Sequence, residues 1–485
     1  MKKNILVIVT DQLSKQAVGC YGNKDVSTPN IDSLAASGVK LNNAYTPCPL
    51  CMPARAAFWS GTLPHDTGSY SNGVQFENGV VGEDVPTLGS IFKEAGYETV
   101  HFGKTHDNGS LRGFECSDKI RLDSHGTEAW PTNYDSEQDE YTVQASVKYL
   151  NKEHDKPFIM IADLNNPHNI CGWIGVFREE HEDVTPPGKL PELPDNFEIK
   201  DLEKRPVPIQ YLCCSHNRLA MTAPWTKDNF RHYLAAYYHY VNRADNHIGI
   251  ILDALKNSDA ADDTLIVYLS DHGDSMTCHQ MVTKQVSFYE ETTCVPFIFT
   301  GPGIEGQDKT MNFLCSISDI MPTLCDYAGL NYPKNIYGRS ILPYLQGHVP
   351  EEEREYVVSE WMSEWGYTIE PGRMVRSAKY KYTRYLEEDG EELYDLVNDP
   401  GETKTLIDDP ACQEVLEYHR GLLDEHVKKE EDPFFSLEYK ADEEWRSHKV
   451  GYCNHKGHAA PVSHYYNQRD EIMEARTSNK KICKF

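Results

Sequence analysis

Basic residues are scarce in this sequence: 47 Lys and Arg stand against 75 Asp and Glu, a formal net charge of -28 over 485 residues. Nucleic acids and anionic membranes are bound by clustered Lys and Arg. The composition therefore argues against either as a partner. An anionic substrate would have to be captured by a local group of cations in an otherwise acidic protein.

A long apolar run is also missing, since no segment approaches the roughly 18 apolar residues that span a bilayer. The apolar residues 4–9 follow two lysines, as in a signal peptide. However, this run is short, meets Asp11 and Gln12, and lacks a small-residue cleavage site. We interpret residues 4–9 as a buried strand and expect a cytoplasmic protein with no membrane partner.

The 14 cysteines lack the dense, regular spacing of a disulfide scaffold. The vicinal pair Cys213-Cys214 and the CxxC formed by Cys48 and Cys51 could by themselves suggest redox or metal chemistry. A second CxxC, which a structural zinc site would normally need, is absent from the sequence. Most of the cysteines are therefore expected to be reduced core residues.

Apolar and helical patterns alternate over residues 1 to about 350, which predicts an α/β fold with a large, mostly parallel sheet flanked by helices. Tyr233 and Tyr237 share one face of a long predicted helix, a spacing typical of core packing. The predicted strands are residues 4–9, 98–102, 157–164, 264–269 and 295–299, and the predicted helices are 86–95 and 230–255.

A second domain is expected because 485 residues exceed what one hydrophobic core usually holds. The polar run 350–355 predicts a boundary between a large domain, 1–350, and a smaller α+β domain, 351–485. The smaller domain is expected to contain an antiparallel sheet and one packed helix. Its predicted strands are 356–359, 374–376 and 379–385, and its predicted helix is 412–429.

Two further segments have unusual compositions. Residues 185–210 are rich in proline and charge, which predicts a long loop of the kind that shapes substrate pockets. The tail from about residue 430 contains aromatic residues and several histidines. Because these histidines lack a clear paired-ligand pattern, we favour a tail that folds over the main domain or a partner subunit in a homo-oligomer; a metal site is the alternative.

Polar side chains follow two of the predicted strands. Asp11 and Gln12 come after the first strand, and Asp271 and His272 come after the strand at 264–269. In an open α/β sheet, ligands gather beyond the carboxyl ends of the strands. The two pairs could therefore surround one divalent cation, and their donors favour a hard ion. Taken separately, each aspartate could instead be a helix N-cap.

The pentapeptide Cys51-Met52-Pro53-Ala54-Arg55 could be a buried cysteine before a turn, but several other motifs accompany it in the sequence. With them, the chain resembles the sulfatase family, in which C-x-P-x-R directs oxidation of the cysteine to formylglycine. The resemblance spans residues 4 to 402. The other matching segments are Gly103-Lys104-Thr105-His106, Asn166-Pro167-His168, Ser270-Asp271-His272-Gly273, His279 with Lys284, Asp319-Ile320-Met321-Pro322-Thr323-Leu324, Glu392-Leu393-Tyr394-Asp395-Leu396 and Asn398-Asp399-Pro400-Gly401-Glu402.

The resemblance implies an alkaline-phosphatase-like fold whose large domain, 1–350, is catalytic. It also implies one divalent metal ion, usually Ca²⁺ with Mg²⁺ or Mn²⁺ as alternatives, and a formylglycine-generating enzyme as a maturation partner. The hydrated aldehyde would attack sulfur with one oxygen and help to expel sulfate with the other, which a thiol could not do. The metal ligands implied are Asp11, Gln12, Asp271 and His272, together with the modified Cys51.

The resemblance gives the remaining site residues their roles. Lys104, His168 and Lys284 match positions that hold the sulfate ester, and fixed cations in a water-poor site suit a charged transition state. Arg55 and His106 match positions that hold and deprotonate the formylglycine hydrate. The role of His279 is open: it assists the leaving group, contacts the substrate, or only supports the loop that carries Lys284.

Two departures from the family pattern bear on the substrate. Many sulfatases have paired aspartates where this chain has Asp11-Gln12, and an Asn in place of His272; related phosphonate monoester hydrolases vary similarly. Met52 is an unusual filler before Pro53. We expect hydrolysis of sulfate monoesters on a small carbohydrate substrate of the glycosaminoglycan type. The alternatives are a phosphonate monoester or phosphodiester hydrolase on the same scaffold and a catalytically inactive binding protein.

Overall fold

A computed structural model of the chain describes residues 3–72, 80–116, 138–174, 188–198, 204–206, 209, 225–284, 287–349, 353–362, 371–386 and 390–437. Parts of the predicted loop 185–210 lie outside these ranges, as do the pair Cys213-Cys214 and the tail beyond residue 437. In the part of the chain that is described, no helix is long and apolar enough to cross a bilayer.

The main sheet has eight strands in the order β4-β3-β5-β1-β6-β7-β2-β8. The central strand β1 runs parallel to its neighbours β5 and β6, and β7 is antiparallel to both β6 and β2. The predicted mostly parallel sheet is thus confirmed. The strands are β1 Asn4–Asp11, β2 Val39–Tyr45, β3 Glu98–Gly103, β4 Glu115–Cys116, β5 Phe158–Pro167, β6 Thr264–Ser270, β7 Phe297–Thr300 and β8 Lys309–Ser316.

Helices cover both faces of this sheet. Alternate residues of β1 enter separate apolar clusters, with Ile5, Val7 and Val9 on one face and Leu6 and Ile8 on the other. A strand buried on both faces has to be a continuous apolar run, which explains the sequence pattern. The helices in the described ranges include α1 Pro29–Ser37, α2 Cys51–Ser60, α3 Pro64–Thr67, α4 Leu88–Glu94, α5 Gln138–Leu150, α6 Lys227–Lys256, α7 Glu290–Thr293, α8 Ile320–Ala328, α9 Leu342–Leu345 and α10 Gln413–Lys429.

A second, antiparallel sheet follows, with the strand order β12-β11-β10-β9. One of its faces packs on α10 through residues such as Val358 and Leu423, and the other joins the core of the main sheet through Val357 and Met374. The predicted small antiparallel sheet is confirmed, whereas the boundary near residue 350 stays a prediction. The strands are β9 Tyr356–Trp361, β10 Gly372–Ser377, β11 Tyr380–Tyr385 and β12 Glu391–Asp395.

The strand register brings three strand ends to one edge of the main sheet. Thr10 is paired with Ser270 on β6, and Asp11 is paired with Pro167 at the end of β5. Asp11 and Asp271 therefore lie side by side beyond the carboxyl ends of adjacent parallel strands. This edge is where ligands bind in open α/β sheets.

Candidate active site

Cys51 is the first residue of α2, a helix whose ten residues are all buried. The preceding Leu50 is extended, so the chain turns into the helix at the cysteine itself. Backbone N–H groups at a helix N-terminus favour a negative charge beside them. The position of Cys51 therefore suits a side chain that carries negative charge during its chemistry.

Four buried residues, Asp11, Cys51, Asp271 and His272, place one potential metal-ligand atom each within 4.8 Å of one another. His272 Nε2 lies 3.2 Å from Cys51 Sγ and 3.8 Å from Asp271 Oδ1. Its Nδ1 donates to the Gly273 carbonyl oxygen at 2.9 Å. Because Nδ1 carries the proton, Nε2 of a neutral ring faces the cluster as a free base, as a metal ligand must.

Arg55 lies among three buried carboxylates. Its Nε donates to Asp271 Oδ2 at 3.0 Å, Nη1 to Asp163 Oδ2 at 2.5 Å and Nη2 to Asp11 Oδ2 at 3.1 Å. The planar guanidinium has the donors to serve several carboxylates at once. It occupies Oδ2 of Asp11 and of Asp271, so that Oδ1 of each carboxylate lies on the side of the cluster; Oδ1 of Asp271 there also accepts the backbone N–H groups of Gln12 and His272. This donor set fits a divalent cation.

Two lysines converge on the same sulfur atom. Lys284 Nζ lies 3.0 Å from Cys51 Sγ, and Lys104 Nζ lies 4.0 Å from Sγ and 2.6 Å from Asp11 Oδ2. Burial raises the pKa of the Cys51 thiol. The positive charges of Lys104, Lys284 and His272 together lower this pKa by more, so that it lies well below its usual value. The surroundings therefore stabilise an anion at this position.

His106 and His168 lie beside Cys51: the interaction with His106 lowers the pKa of the Cys51 thiol, and the interaction with Cys51 counters part of the lowering of the pKa of His168. His168 Nε2 also lies 3.9 Å from Asp11 Oδ1. Burial, together with the charges of Lys104 and Lys284, lowers the pKa of His168 to about 3. His168 is therefore neutral at pH 7 and able to donate one N–H without adding charge.

Gln12 adjoins the cluster, but its side chain turns towards other partners. Its Nε2 donates to Asp274 Oδ2 at 2.7 Å, and its Oε1 accepts from Cys171 Sγ at 3.4 Å. The Gln12 backbone N–H donates to Asp271 Oδ1 at 3.0 Å. The amide oxygen is thus the Gln12 side-chain atom that is oriented away from Asp274.

His279 is buried, and its ring stacks on Tyr289 with a centroid separation of 4.0 Å. Its backbone N–H donates to the Asn196 carbonyl oxygen at 2.9 Å, and its Nε2 lies 3.5 Å from the Asn196 amide nitrogen. Burial, with smaller contributions from Arg205 and Lys381, lowers the pKa of His279 well below its usual value. These contacts anchor His279, which itself lies in the loop before Lys284, to Asn196 and Tyr289.

Sequence reasoning missed two buried residues behind the site. Asp163 accepts from Arg55 and lies 3.4 Å, through its Oδ2, from His101 Nε2. Burial lowers the pKa of His101, but Asp163 and Cys116 raise it more, to about 9. An aspartate inside the apolar run of β5 was the available signal, because a buried carboxylate needs a partner.

Two family models and a curated relative match this chain. The sulfatase family model matches residues 3–330, and the model for the C-terminal part of N-sulphoglucosamine sulphohydrolase matches residues 278–429. The chain is 47% identical over 461 residues to a Delta 4,5-hexuronate-2-O-sulfatase of Bacteroides thetaiotaomicron, covering 95% of this chain and 96% of the relative.

Solved structures match it as well. A 2-O GAG sulfatase superimposes with a TM-score of 0.87 at 46% identity, covering 96% of this chain and 99% of that one. A phosphonate monoester hydrolase of Agrobacterium radiobacter has a TM-score of 0.68 at 22% identity, covering 88% and 96% of the two chains, which shows a shared fold alone. The predicted resemblance and enzyme class are confirmed: the chain belongs to the sulfatase family, whose members hydrolyse sulfate esters.

Proposed function

We propose that the protein hydrolyses a sulfate ester at O2 of a hexuronate residue in a glycosaminoglycan-type saccharide. The carrying observation is the convergence of the Lys284 and Lys104 ammonium groups on Cys51 Sγ, beside the carboxylates of Asp11 and Asp271. Such a site combines a nucleophile position with cations for a sulfuryl group. The name of the relative with 47% identity supports the O2 position and the hexuronate.

The sulfur of Cys51 stands in for the oxygens that its side chain carries after oxidation to formylglycine by a formylglycine-generating enzyme. The hydrated aldehyde supplies one oxygen that bonds to sulfur as the ester S–O bond breaks, and a second hydroxyl whose deprotonation releases sulfate and restores the aldehyde. The balance is one water consumed for each ester cleaved. The anion-stabilising surroundings of Cys51 support this chemistry.

The surrounding residues divide the work by charge. Lys104 and Lys284 bind the sulfuryl oxygens, and the neutral His168 donates to them without a further charge. His106, whose interaction with Cys51 lowers the pKa of that side chain, handles its proton. Arg55 holds the carboxylates of Asp11, Asp163 and Asp271 in place through its hydrogen bonds to them. Of the roles considered for His279, its contacts with Asn196 and Tyr289 favour support of the loop before Lys284.

Asp11, Asp271 and His272 would hold a divalent metal beside the modified Cys51, with Gln12 contributing its amide oxygen. We propose Ca²⁺ as the ion, because three of these four side chains offer oxygen donors. The imidazole of His272 keeps Mg²⁺ and Mn²⁺ as alternatives. When bound, such an ion favours an alkoxide and neutralises charge that develops on the sulfuryl oxygens.

The proposal is tested with protein co-expressed with a formylglycine-generating enzyme. A peptide mass spectrum across Cys51 should show an aldehyde in place of the thiol. Turnover should be high on an unsaturated hexuronate-2-O-sulfate disaccharide, lower on an aryl sulfate and negligible on an aryl phosphonate monoester, and a Cys51→Ala control should be inactive. A preference for the phosphonate would favour the alternative hydrolase, and inactivity of converted protein on every ester would favour a binding protein.

A further inference from the structure

We propose that Asp274 and Tyr233 are positioning residues that set the orientation of the Gln12 amide on one side of the site and the location of Lys284 on the other. The inference rests on the proposed function for its catalytic readout only. Its basis is a buried network in which Asp274 accepts from Gln12 Nε2 at 2.7 Å and from the Tyr233 hydroxyl at 2.8 Å. Both residues are completely buried.

Asp274 fixes the nitrogen end of the Gln12 amide. Asp274 accepts from Gln12, from Tyr233 and from the backbone N–H of Met276, the last at 2.8 Å to its Oδ1. An ionised carboxylate can only accept hydrogen bonds, so Gln12 must present its NH₂ group to Asp274. Its carbonyl oxygen is then the end left for other contacts. The partner of that oxygen, the Cys171 thiol at 3.4 Å, is a weak donor.

Tyr233 also holds the backbone next to Lys284. The Tyr233 hydroxyl donates its proton to Asp274 and accepts the backbone N–H of Thr283 at 2.8 Å. Ser275 also donates its backbone N–H to the Thr283 carbonyl oxygen at 2.9 Å. Tyr233 thus contacts both ends of the segment 274–283, through the Asp274 carboxylate and the Thr283 N–H. This second contact lies one residue before Lys284.

Tyr233 and Tyr237 of α6 both contact the Gln12 side of the site. Tyr233 projects from α6 with its ring parallel to that of Tyr237, at a centroid separation of 6.5 Å. The Tyr237 hydroxyl donates to the Gln12 carbonyl oxygen at 2.8 Å and accepts the Ser14 N–H at 3.1 Å. Two tyrosines of one helix thus hold the backbone of Gln12 and the carboxylate that faces its side chain. A pair placed in this way couples the Gln12 side of the site to Lys284.

The experiment exchanges the donor and acceptor between positions 12 and 274. In Asp274→Asn, the NH₂ group of the new amide faces another hydrogen-bond donor in either orientation. This donor is the Gln12 NH₂ group in one orientation and the Met276 backbone N–H in the other. In the double variant Gln12→Glu with Asp274→Asn, the new carboxylate accepts from the new amide at unchanged net charge. We expect Asp274→Asn to weaken Ca²⁺ binding and kcat/KM about tenfold, the size of one lost hydrogen bond.

Ca²⁺ affinity and kcat/KM of the double variant should exceed the product of the two single-variant effects by about tenfold, a coupling that double-mutant cycles detect between contacting residues. The quantities measured, for the wild type, Gln12→Glu, Asp274→Asn and the double variant, are the Ca²⁺ dissociation constant, by calorimetry with CaCl₂ alone, and kcat/KM from steady-state kinetics. If the effects of the two single substitutions on Ca²⁺ affinity and on kcat/KM simply multiply in the double variant, Asp274 does not position the Gln12 amide. Coupling in Ca²⁺ affinity without turnover of any sulfate ester would uphold it and instead remove the proposed function.

Tyr233→Phe tests the other side while keeping the stacked ring. The expected results are faster hydrogen–deuterium exchange of peptides covering 274–284 and a fall of about tenfold in kcat/KM. The matched control is Tyr382→Phe, which removes a hydroxyl bonded to the Glu391 carboxylate in the small sheet and should leave kcat/KM unchanged. Wild-type exchange and kinetics in Tyr233→Phe would overturn the role of Tyr233.

Discussion

Arg55 donates its Nε–H to Oδ2 of Asp271 across 3.0 Å, in a pair whose side chains are both completely buried. The bond fixes which oxygen of the carboxylate remains for the cluster: Oδ1 lies 3.8 Å from His272 Nε2. Asp11 is held in the same way by Arg55 Nη2. One guanidinium therefore sets the orientation of both carboxylates, because its donors are rigidly spaced.

Replacing Arg55 with Met should destabilise the protein strongly. Three carboxylates, those of Asp11, Asp163 and Asp271, would lose the cation they share in the interior. Removing one member of a buried ion pair typically costs about 3–5 kcal/mol. We expect a loss of at least this order in the free energy of unfolding, measured by urea denaturation.

The control for this change is Arg420→Met. Arg420 pairs with Glu391 and Glu417 at the partly exposed surface of α10, where such pairs contribute about 1 kcal/mol or less. Equal losses of stability in the two variants would contradict the central role given to Arg55.

Lys284→Ala should lower turnover far more than stability. Its Nζ lies 3.0 Å from Cys51 Sγ, where a sulfuryl oxygen would be bound. Removing one donor that serves the transition state typically lowers kcat by about 100- to 1,000-fold. We expect a loss of this size in kcat/KM with little change in the melting temperature.

The matched control is Lys227→Ala, which removes a lysine paired with Glu198 near the surface and should be kinetically silent. Wild-type kinetics in Lys284→Ala would remove Lys284 from the site.

Divalent cations should stabilise the folded chain. Two carboxylates and an imidazole nitrogen converge beside Cys51, and an ion that binds only the native state at 100 times its dissociation constant adds about 2.7 kcal/mol. We expect CaCl₂ to raise the melting temperature and a chelator to lower it. His272→Ala should reduce this response, whereas Asp408→Asn, at an exposed carboxylate, should keep it. A response unchanged by His272→Ala would place the ion elsewhere.

The main sheet could be predicted from the sequence wherever a strand is buried on both faces. β1 and β6 appear as apolar runs for this reason, and so does β5 as far as Leu164 apart from Asp163. β2 and β8 were not predicted, because they mix buried with partly exposed or exposed positions and so resemble loops. The observed β7 begins at Phe297, after Pro296, which lacks the N–H that a strand ladder uses.

The sequence predicted the residues around Cys51 but not the buried contacts that hold them. The resemblance to the sulfatase family placed Cys51 and Lys284 together, although 233 positions separate them. Asp163 was missed because it lies within an apolar strand, and its meeting with Arg55 depends on β5 adjoining β1 in the sheet. Tyr233 was interpreted as core packing, which its burial confirms, but its hydroxyl partners follow from the path of α6 across the sheet.

A further prediction concerns pH and the contact between α3 and the small sheet. His65 Nδ1 lies 2.7 Å from Glu360 Oε1, and its Nε2 lies 3.0 Å from the Glu430 carbonyl oxygen. Both partners are acceptors, so both ring nitrogens are protonated in this geometry. Burial lowers the pKa of His65, but Glu360 raises it more, to about 10.

A folded-state pKa above the unfolded value of about 6.5 stabilises the protein below pH 6.5, and the contribution disappears as pH rises through about 10. We therefore expect His65→Gln to lower the free energy of unfolding by a few kcal/mol at pH 6, and the difference from the wild type to shrink steadily towards pH 10. Urea denaturation across this range measures it, with His348→Gln as an exposed control. A difference between wild type and His65→Gln that stays constant with pH would mean that His65 is neutral in the folded protein, and the contact with Glu360 would then be an uncharged hydrogen bond.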